Sequence, residues 1–401
     1  MHSSDTPSTA STPLSSTTTH LKWQENGHDC EDEWRSERGA PVPKRVVLAD
    51  DTLSADSAYR LACAGTGMLW RGDFQNARLL LQALARRCDA PKKVKRASKS
   101  NAEATHTPQE NFHLHRQAQS QRARTLSMIL IQVNPDRQIS LRRAPDWRAA
   151  MKEAWGPAGT TGCVTSLREL LGLVGAHEWH EKGMEISALG SGPNNRIHPS
   201  YGVFSPVRGE YIQLVAEAPL PSSDVAFDIG VGTGVLSAVL AKRGVKRVVG
   251  TDLDPRALAC AKENIQRLGL KDKVELVQTN LFPEGKAPLI VCNPPWLPAR
   301  ASAPIERAIY DENSAMLKGF LAGLAEHLSP QGEGWLILSD LAEHLGLRTR
   351  AELETWISEA GLKVLGKLDT KAEHKKVQDE TDPLHAARAA EVTSLWRLGH
   401  A

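Results

Sequence analysis

The sequence predicts an α/β protein in which a doubly wound, largely parallel sheet follows a smaller, mainly helical N-terminal domain. Three observations carry that prediction. From Val225 onward, five short apolar runs alternate with amphipathic stretches, the pattern of repeated βαβ units. A glycine-rich loop at residues 228–234 leaves the first of those runs and opens a helix. Between residues 50 and 87, apolar residues recur at helical spacing, among them Leu79, Leu80, Ala83 and Leu84. A chain of 401 residues is long enough for two such domains.

Residues 1–45 are Ser, Thr, Pro and charge with few apolar anchors, so this arm is expected to be disordered. Residues 46–190 make up the N-terminal domain. Within it, 50–87 reads as two helices joined near residues 65–72. Residues 88–124 read as a polar insert in which Lys92, Lys93, Lys95, Arg96 and Lys99 cluster. Such cations can neutralise phosphates, although a solvated insert is the simpler reading. T-L-S-M-I-L-I-Q-V, from residue 125, suits a strand or a buried helical turn. D-W-R-A-A-M-K-E-A-W and S-L-R-E-L-L-G-L-V-G-A-H-E-W read as helices, the second with a capping box between Ser166 and Glu169.

Residues 191–401 form the second domain. Its strands are V-A-F-D-I, R-V-V-G-T, K-V-E-L-V, P-L-I-V-C and G-W-L-I-L-S, with helices near 233–243, 255–268, 313–328 and 348–360. H-A-A-R-A-A-E-V-T-S-L-W-R-L, from His385, reads as a last strand that carries Trp396 into the core, after a polar hairpin or loop that begins K-A-E-H-K-K.

Composition excludes several classes. Forty-nine Lys and Arg against 47 Asp and Glu leave a net charge of +2, too even for a bulk polyanion binder but compatible with a local basic patch. No apolar run approaches the roughly 18 residues of a membrane span, and the first twenty residues lack the basic start and apolar core of a secretory signal. The six cysteines are scattered without a C-x-x-C pair, and His198, His327, His344, His374 and His385 show no metal-ligand spacing. Reduced thiols, no metal and a cytoplasmic location are expected.

The chemistry concentrates in two segments. In D-I-G-V-G-T-G, Gly230, Gly232 and Gly234 let the backbone turn and approach a ligand closely. The spacing is G-x-G-x-G, and Asp228 precedes it; a carboxylate there would repel a pyrophosphate but suit an ammonium. The next strand ends at Asp252, where an acid can accept both hydroxyls of a ribose. Ammonium, short chain and ribose in register point to S-adenosylmethionine. The fourth strand delivers Asn293-Pro294-Pro295-Trp296 at its carboxyl end, the edge at which open α/β sheets bind ligands. Prolines stiffen the backbone and leave carbonyls as acceptors. The Asn293 oxygen and a proline carbonyl can together take both hydrogens of a planar NH2 group, with Trp296 offering a flat face. Positioning and polarisation then supply most of an in-line displacement.

On these motifs, residues 195–400 resemble class I S-adenosylmethionine-dependent methyltransferases of the small methyltransferase domain superfamily, with a Rossmann-like sheet. The spacing looks most like that of the release-factor glutamine N5-methyltransferase group. The resemblance implies that G-V-F-S-P-V-R-G-E-Y-I-Q-L-V, residues 202–215, closes over the cofactor, with Phe204, Pro206 and Arg208 lining the pocket. It places Asn280 where the family usually carries an Asp against the adenine amino group. The family's fourth motif is usually N-P-P-Y, so Trp296 is a departure that leaves the acceptor open. The implied function is N-methyl transfer to a planar nitrogen, foremost a protein glutamine amide in the translation machinery. An adenine or guanine exocyclic amine in RNA, and a non-catalytic S-adenosylmethionine-binding module, are the alternatives. Arg300, Glu306, Tyr310 and Asp311, in the loop after Trp296, are expected to border the acceptor opening.

Overall fold

The computed structural model describes residues 19–90, 106–192, 194–301, 304–371 and 375–401. Among them a first sheet comprises β1 (His20–Glu25), β2 (His28–Trp34), β3 (Arg45–Ala49), β4 (Thr66–Trp70), β5 (Ile129–Val133) and β6 (Cys163–Ser166), in the order β1-β2-β6-β5-β4-β3. The N-terminal domain is therefore a six-stranded sheet with helices around it, which corrects the mainly helical expectation.

Each departure has a local cause. All five residues of β4 are buried between β3 and β5, so the strand shows no alternation and its apolar run merges with the helical pattern on either side. Residues 20–34, expected within a disordered arm, form a hairpin. Leu21 and Trp23 alternate inward, and Asn26 and Gly27, with φ of 53° and 80°, make the two-residue turn that this dipeptide favours. Residues 1–18 of the arm lie outside the described residues.

The polar insert is also corrected in part. Pro108–Leu126 is a helix opened by a capping box between Thr107 and Glu110. Its surface is polar almost all round, which hid it from a periodicity reading. Lys92, Lys93, Lys95, Arg96 and Lys99 lie outside the described residues.

After a short pairing of β7 (Met184–Glu185) with β8 (Arg196–Ile197), the second sheet contains β9 (Val225–Ile229), β10 (Arg247–Asp252), β11 (Val274–Gln278), β12 (Ala287–Cys292), β13 (Leu328–Ser339), β14 (Leu362–Lys371) and β15 (Val392–His400). Their order is β11-β10-β9-β12-β13-β15-β14, with β15 running opposite to the other six. This is the doubly wound sheet that the alternation of runs predicts. Residues His385–Ala390, expected at the head of the last strand, form a short Ala-rich helix before it. Helices cover both faces. Phe227 and Ile229 of β9 pack with Leu317, Phe320 and Leu321 on one side, while Ala226 packs with Val235, Val239 and Tyr211 on the other. The chain steps from β9 out to β11 and then returns to β12 on the opposite flank of β9. That reversal is the topological switch point, where open sheets leave a crevice for ligands.

The two domains meet beside the carboxyl end of β12, at one flank of that crevice. Phe112, from the helix Pro108–Leu126 and 2% exposed, packs with Leu297, Leu341, Leu345 and Leu384 of the second domain. One turn on, Arg116 Nη2 donates to the Arg300 carbonyl at 2.8 Å, and its guanidinium sits 4.1 Å from the centre of the Tyr310 ring. Phe112→Ala should therefore cost about 3–5 kcal/mol. Hydrogen exchange should show faster amide exchange in both Pro108–Leu126 and residues 297–311; unchanged protection at 297–311 would mean that the helix does not brace the loop.

Candidate active site

Strand register brings the predicted residues to one edge. Ile229 pairs with Thr251 on one side and with Cys292 on the other, and Asp252 pairs with Gln278. The glycine loop, Asp252, Asn280 and Asn293 consequently leave four adjacent strands at the same level. At a strand spacing of ~4.8 Å the row from β11 to β12 spans about 14 Å, enough for a nucleoside joined to a short amino-acid chain.

The glycine loop is held by its own backbone. Gly230 and Val231 donate their N–H groups to the Thr251 carbonyl at 2.9 and 2.8 Å. Gly250 permits this approach, since a Cβ there would lie 2.8 Å from Val231 Cγ2 and 3.1 Å from Ser237 Oγ. Gly232 has φ of +53°, and a Cβ on it would meet nothing nearer than 4.0 Å, so the loop turns a bare face outward. Asp252 ties the loop to β10: its Oδ2 accepts from the Gly232 N–H at 3.1 Å and its Oδ1 from the Asp254 N–H at 2.9 Å. Asn280 is exposed, just beyond β11.

Asp228 sits deeper than its expected role implies. Alternation along β9 turns it to the same face as Ala226, under the helix Val235–Lys242. It is 1% exposed, and its Oδ2 accepts from Ser237 Oγ at 2.6 Å. In this geometry the carboxylate braces the loop and the first turn of the helix from below. Burial pushes its carboxyl up to about 6, against the opposing hydrogen bonds from Ser237 and with help from the nearby Asp252 charge.

The N-P-P-W segment also differs from expectation. The Asn293 oxygen already accepts a hydrogen bond, from Trp296 Nε1 at 2.9 Å. Trp296 does not present an open ring: the Arg208 guanidinium lies 5.3 Å from its centre, and the indole packs against the cores on both sides of the sheet. Phe204 and Arg208 are half-buried and Pro206 is buried, all in the segment that precedes the helix Glu210–Glu217. In the following loop, Glu306 pairs with Arg38 at 3.4 Å, while Asp311 accepts the Met316 and Leu317 N–H groups at 3.0 and 3.1 Å and so starts the helix Ala315–His327.

Several participants carry no sequence signal. Asn264, fully buried, accepts from the His198 N–H at 2.7 Å and donates to the His198 and Thr233 carbonyls at 3.1 Å, fastening the segment before β9 to the glycine loop. Glu391, 1% exposed, takes a two-pronged pair from Arg208. Neither belongs to a local motif, and only the folded chain brings them to the site. Among the described residues, no group of three or more His, Cys, Asp or Glu is arranged to hold a metal ion.

The Asp228 carboxyl generates a pH dependence with a definite sign. Its folded value, about 6, lies above the usual 3.8, so the native state holds this proton more tightly than the unfolded chain. The contribution favours folding below about pH 4 and is lost as pH rises through 6. Asp228→Asn removes the titration, so urea denaturation should show the variant gaining on the parent between pH 4 and 6.5, by at most about 2–3 kcal/mol. Parallel stability curves would contradict the buried, Ser237-bonded position.

Comparison with known proteins agrees with this geometry. Residues 212–297 match the ribosomal protein L11 methyltransferase (PrmA) family. The chain is 30% identical over 154 residues to a putative protein N5-glutamine methyltransferase of Methanocaldococcus jannaschii, covering 36% of this chain and 76% of that one. It is 36% identical over 110 residues to the ribosomal protein L11 methyltransferase of Vibrio parahaemolyticus, 27% of this chain and only 37% of that protein's length. A crystal structure of ribosomal protein L11 methylase from Lactobacillus delbrueckii subsp. bulgaricus aligns with a TM-score of 0.32 and 20% identity, over 48% of this chain and 75% of that one. With the match extending over three quarters of the archaeal relative, the chain belongs to the class I S-adenosylmethionine-dependent methyltransferases.

Proposed function

We propose that this protein transfers a methyl group from S-adenosylmethionine to a planar nitrogen, and that the acceptor is a glutamine side-chain amide in a protein of the translation machinery. The adjacency of Gly230 and Asn293 at the switch point, locked by the pairing of Ile229 with Cys292, carries the reading. A donor site and an acceptor motif on neighbouring strands suit direct transfer between two bound molecules. The names of the relatives, a protein N5-glutamine methyltransferase and ribosomal protein L11 methyltransferases, support a protein acceptor.

The residues present fit the donor. The outward face of Gly232 is free of side chain, and Asp252 stands beside it at the strand end. Gly230, Gly232 and Gly234 would lie under the methionine chain, Asp252 at the ribose, Asn280 at the adenine, and Phe204, Pro206 and Arg208 along the closing segment. Asp228 would act from beneath, fixing the loop and adding negative potential for the ammonium. When bound, S-adenosylmethionine supplies an electrophilic methyl on a sulfonium. The chain's part is to hold the acceptor nitrogen with its lone pair aimed. Asn293 Oδ1 has a second lone pair beyond the one engaged by Trp296, and the Pro294 carbonyl has no N–H of its own residue beside it; the two can hold an NH2 group.

Asn293→Ala should abolish transfer while the S-adenosylmethionine dissociation constant, read by isothermal titration, stays within about threefold. Lost cofactor binding in a folded variant would move Asn293 to the donor site. Asp252→Ala should weaken cofactor binding by about 1.5–3 kcal/mol through loss of charge-assisted hydrogen bonds; an unchanged constant would remove it from the ribose. The acceptor is tested by incubating labelled S-adenosylmethionine with an extract of cells lacking this protein, followed by protease or ribonuclease. Label that survives ribonuclease and maps to a glutamine supports the proposal. Label released by ribonuclease assigns an RNA amine instead, and no macromolecular label overturns both.

A further inference from the structure

The acceptor motif is tied to a residue almost a hundred positions away. Glu391 stands at the start of β15, beside the end of β13, and its side chain is fully buried. Ser339 Oγ donates to Glu391 Oε1 at 2.7 Å, and the backbone just after it is pinned by the Val392 N–H donating to Asp340 Oδ1 at 2.7 Å. Against this fixed carboxylate, Arg208 forms a fork: Nη1 to Oε1 at 2.9 Å and Nη2 to Oε2 at 3.0 Å. A two-pronged pair sets the plane of a guanidinium as well as its place. That guanidinium lies 5.3 Å from the centre of the Trp296 ring, which it restrains through cation–π attraction. The indole N–H in turn reaches Asn293 Oδ1 at 2.9 Å. Because an indole N–H can only donate, it dictates which end of the Asn293 amide faces it. The amide cannot flip without breaking that bond.

We propose that Glu391 is a positioning residue for methyl transfer, holding Arg208 over Trp296 so that the Trp296 N–H keeps the Asn293 amide in its acceptor-receiving orientation. Glu391 itself touches neither substrate. The inference rests on the reading of Asn293 as the acceptor-binding residue. It gives the tryptophan of this N-P-P-W segment a role that phenylalanine lacks: a directional N–H.

The test uses the full chain, labelled with 15N at tryptophan. The protein has ten tryptophans, and the Trp296 indole signal is the one that disappears in Trp296→Phe. Glu391→Gln keeps the shape and a hydrogen-bond partner for Ser339 but weakens the fork; Arg208→Lys keeps the charge and loses the second prong. In both variants the Trp296 indole proton should shift and exchange with solvent roughly tenfold faster, and in Glu391→Gln cofactor affinity should stay within about threefold of the parent. Initial rates of label transfer into extract of cells lacking this protein should fall by about ten- to a hundredfold in Glu391→Gln. The same substitution in a Trp296→Phe background should cost less than about twofold more, since the link is already cut. An unmoved Trp296 signal in Glu391→Gln, or fully additive losses, overturns the proposal. If the parent protein labels nothing in the extract, the functional reading fails, while the indole signal still decides whether Glu391 controls the motif.

Discussion

Parallel pairing of β9 with both β10 and β12 is the constraint on which the rest of this molecule depends. Both faces of β9 are covered by helices, so apolar residues alone do not distinguish one register from the next; a shift of one position would merely exchange two buried rows. Asp228 breaks that degeneracy. It is the one ionisable residue in β9, and Ser237 on the overlying helix satisfies it. A slip would aim the carboxylate into the layer of Leu317, Phe320 and Leu321 with no partner, a cost of several kcal/mol. The bond between Asp228 and Ser237 thus sets the level at which the glycine loop, Asp252 and Asn293 leave the sheet.

The site is organised by buried polar groups rather than by surface charge. Pairs such as Lys246 with Asp224 and Arg267 with Glu263 are exposed, where solvent and salt screen them, and they contribute little. Asn264 and Glu391 differ in kind. Each is enclosed and each joins segments far apart in the chain, Asn264 at the glycine loop and Glu391 at Arg208, beside the N-P-P-W segment. In a low-dielectric setting their hydrogen bonds are strong and directional, and leaving any member unpaired is costly. That stiffness suits a reaction that depends on aim.

The family match ends at residue 297, one position past Trp296. The loop that follows, and the helix Pro108–Leu126 that walls it through Phe112 and Arg116, lie beyond the residues that match the family model. The matched part holds the glycine loop, Asp252 and the tip of β12, whereas the surface beyond it borders the neighbouring domain. Loops and added domains of this kind are where specificity is carried on a common scaffold.

The sequence by itself determined the doubly wound sheet, because runs of four to six apolar residues separated by amphipathic helices admit few other arrangements. It likewise determined the residues at the carboxyl edge, because the glycine loop, Asp252 and the N-P-P-W segment are local patterns tied to strand ends. The hairpin at residues 20–34 was also legible, in its Asn-Gly turn. The buried strand β4 was not, since burial on all sides erases the alternation that marks a strand. Tertiary structure alone decided which way Asp228 faces, that Trp296 would bind Asn293 rather than stand open, and that Glu391 and Asn264 would join the site. Those are contacts between residues 31 to 183 positions apart or, for Asp228 and Trp296, choices among rotamers made by surrounding packing, and neither is encoded in the spacing of nearby residues.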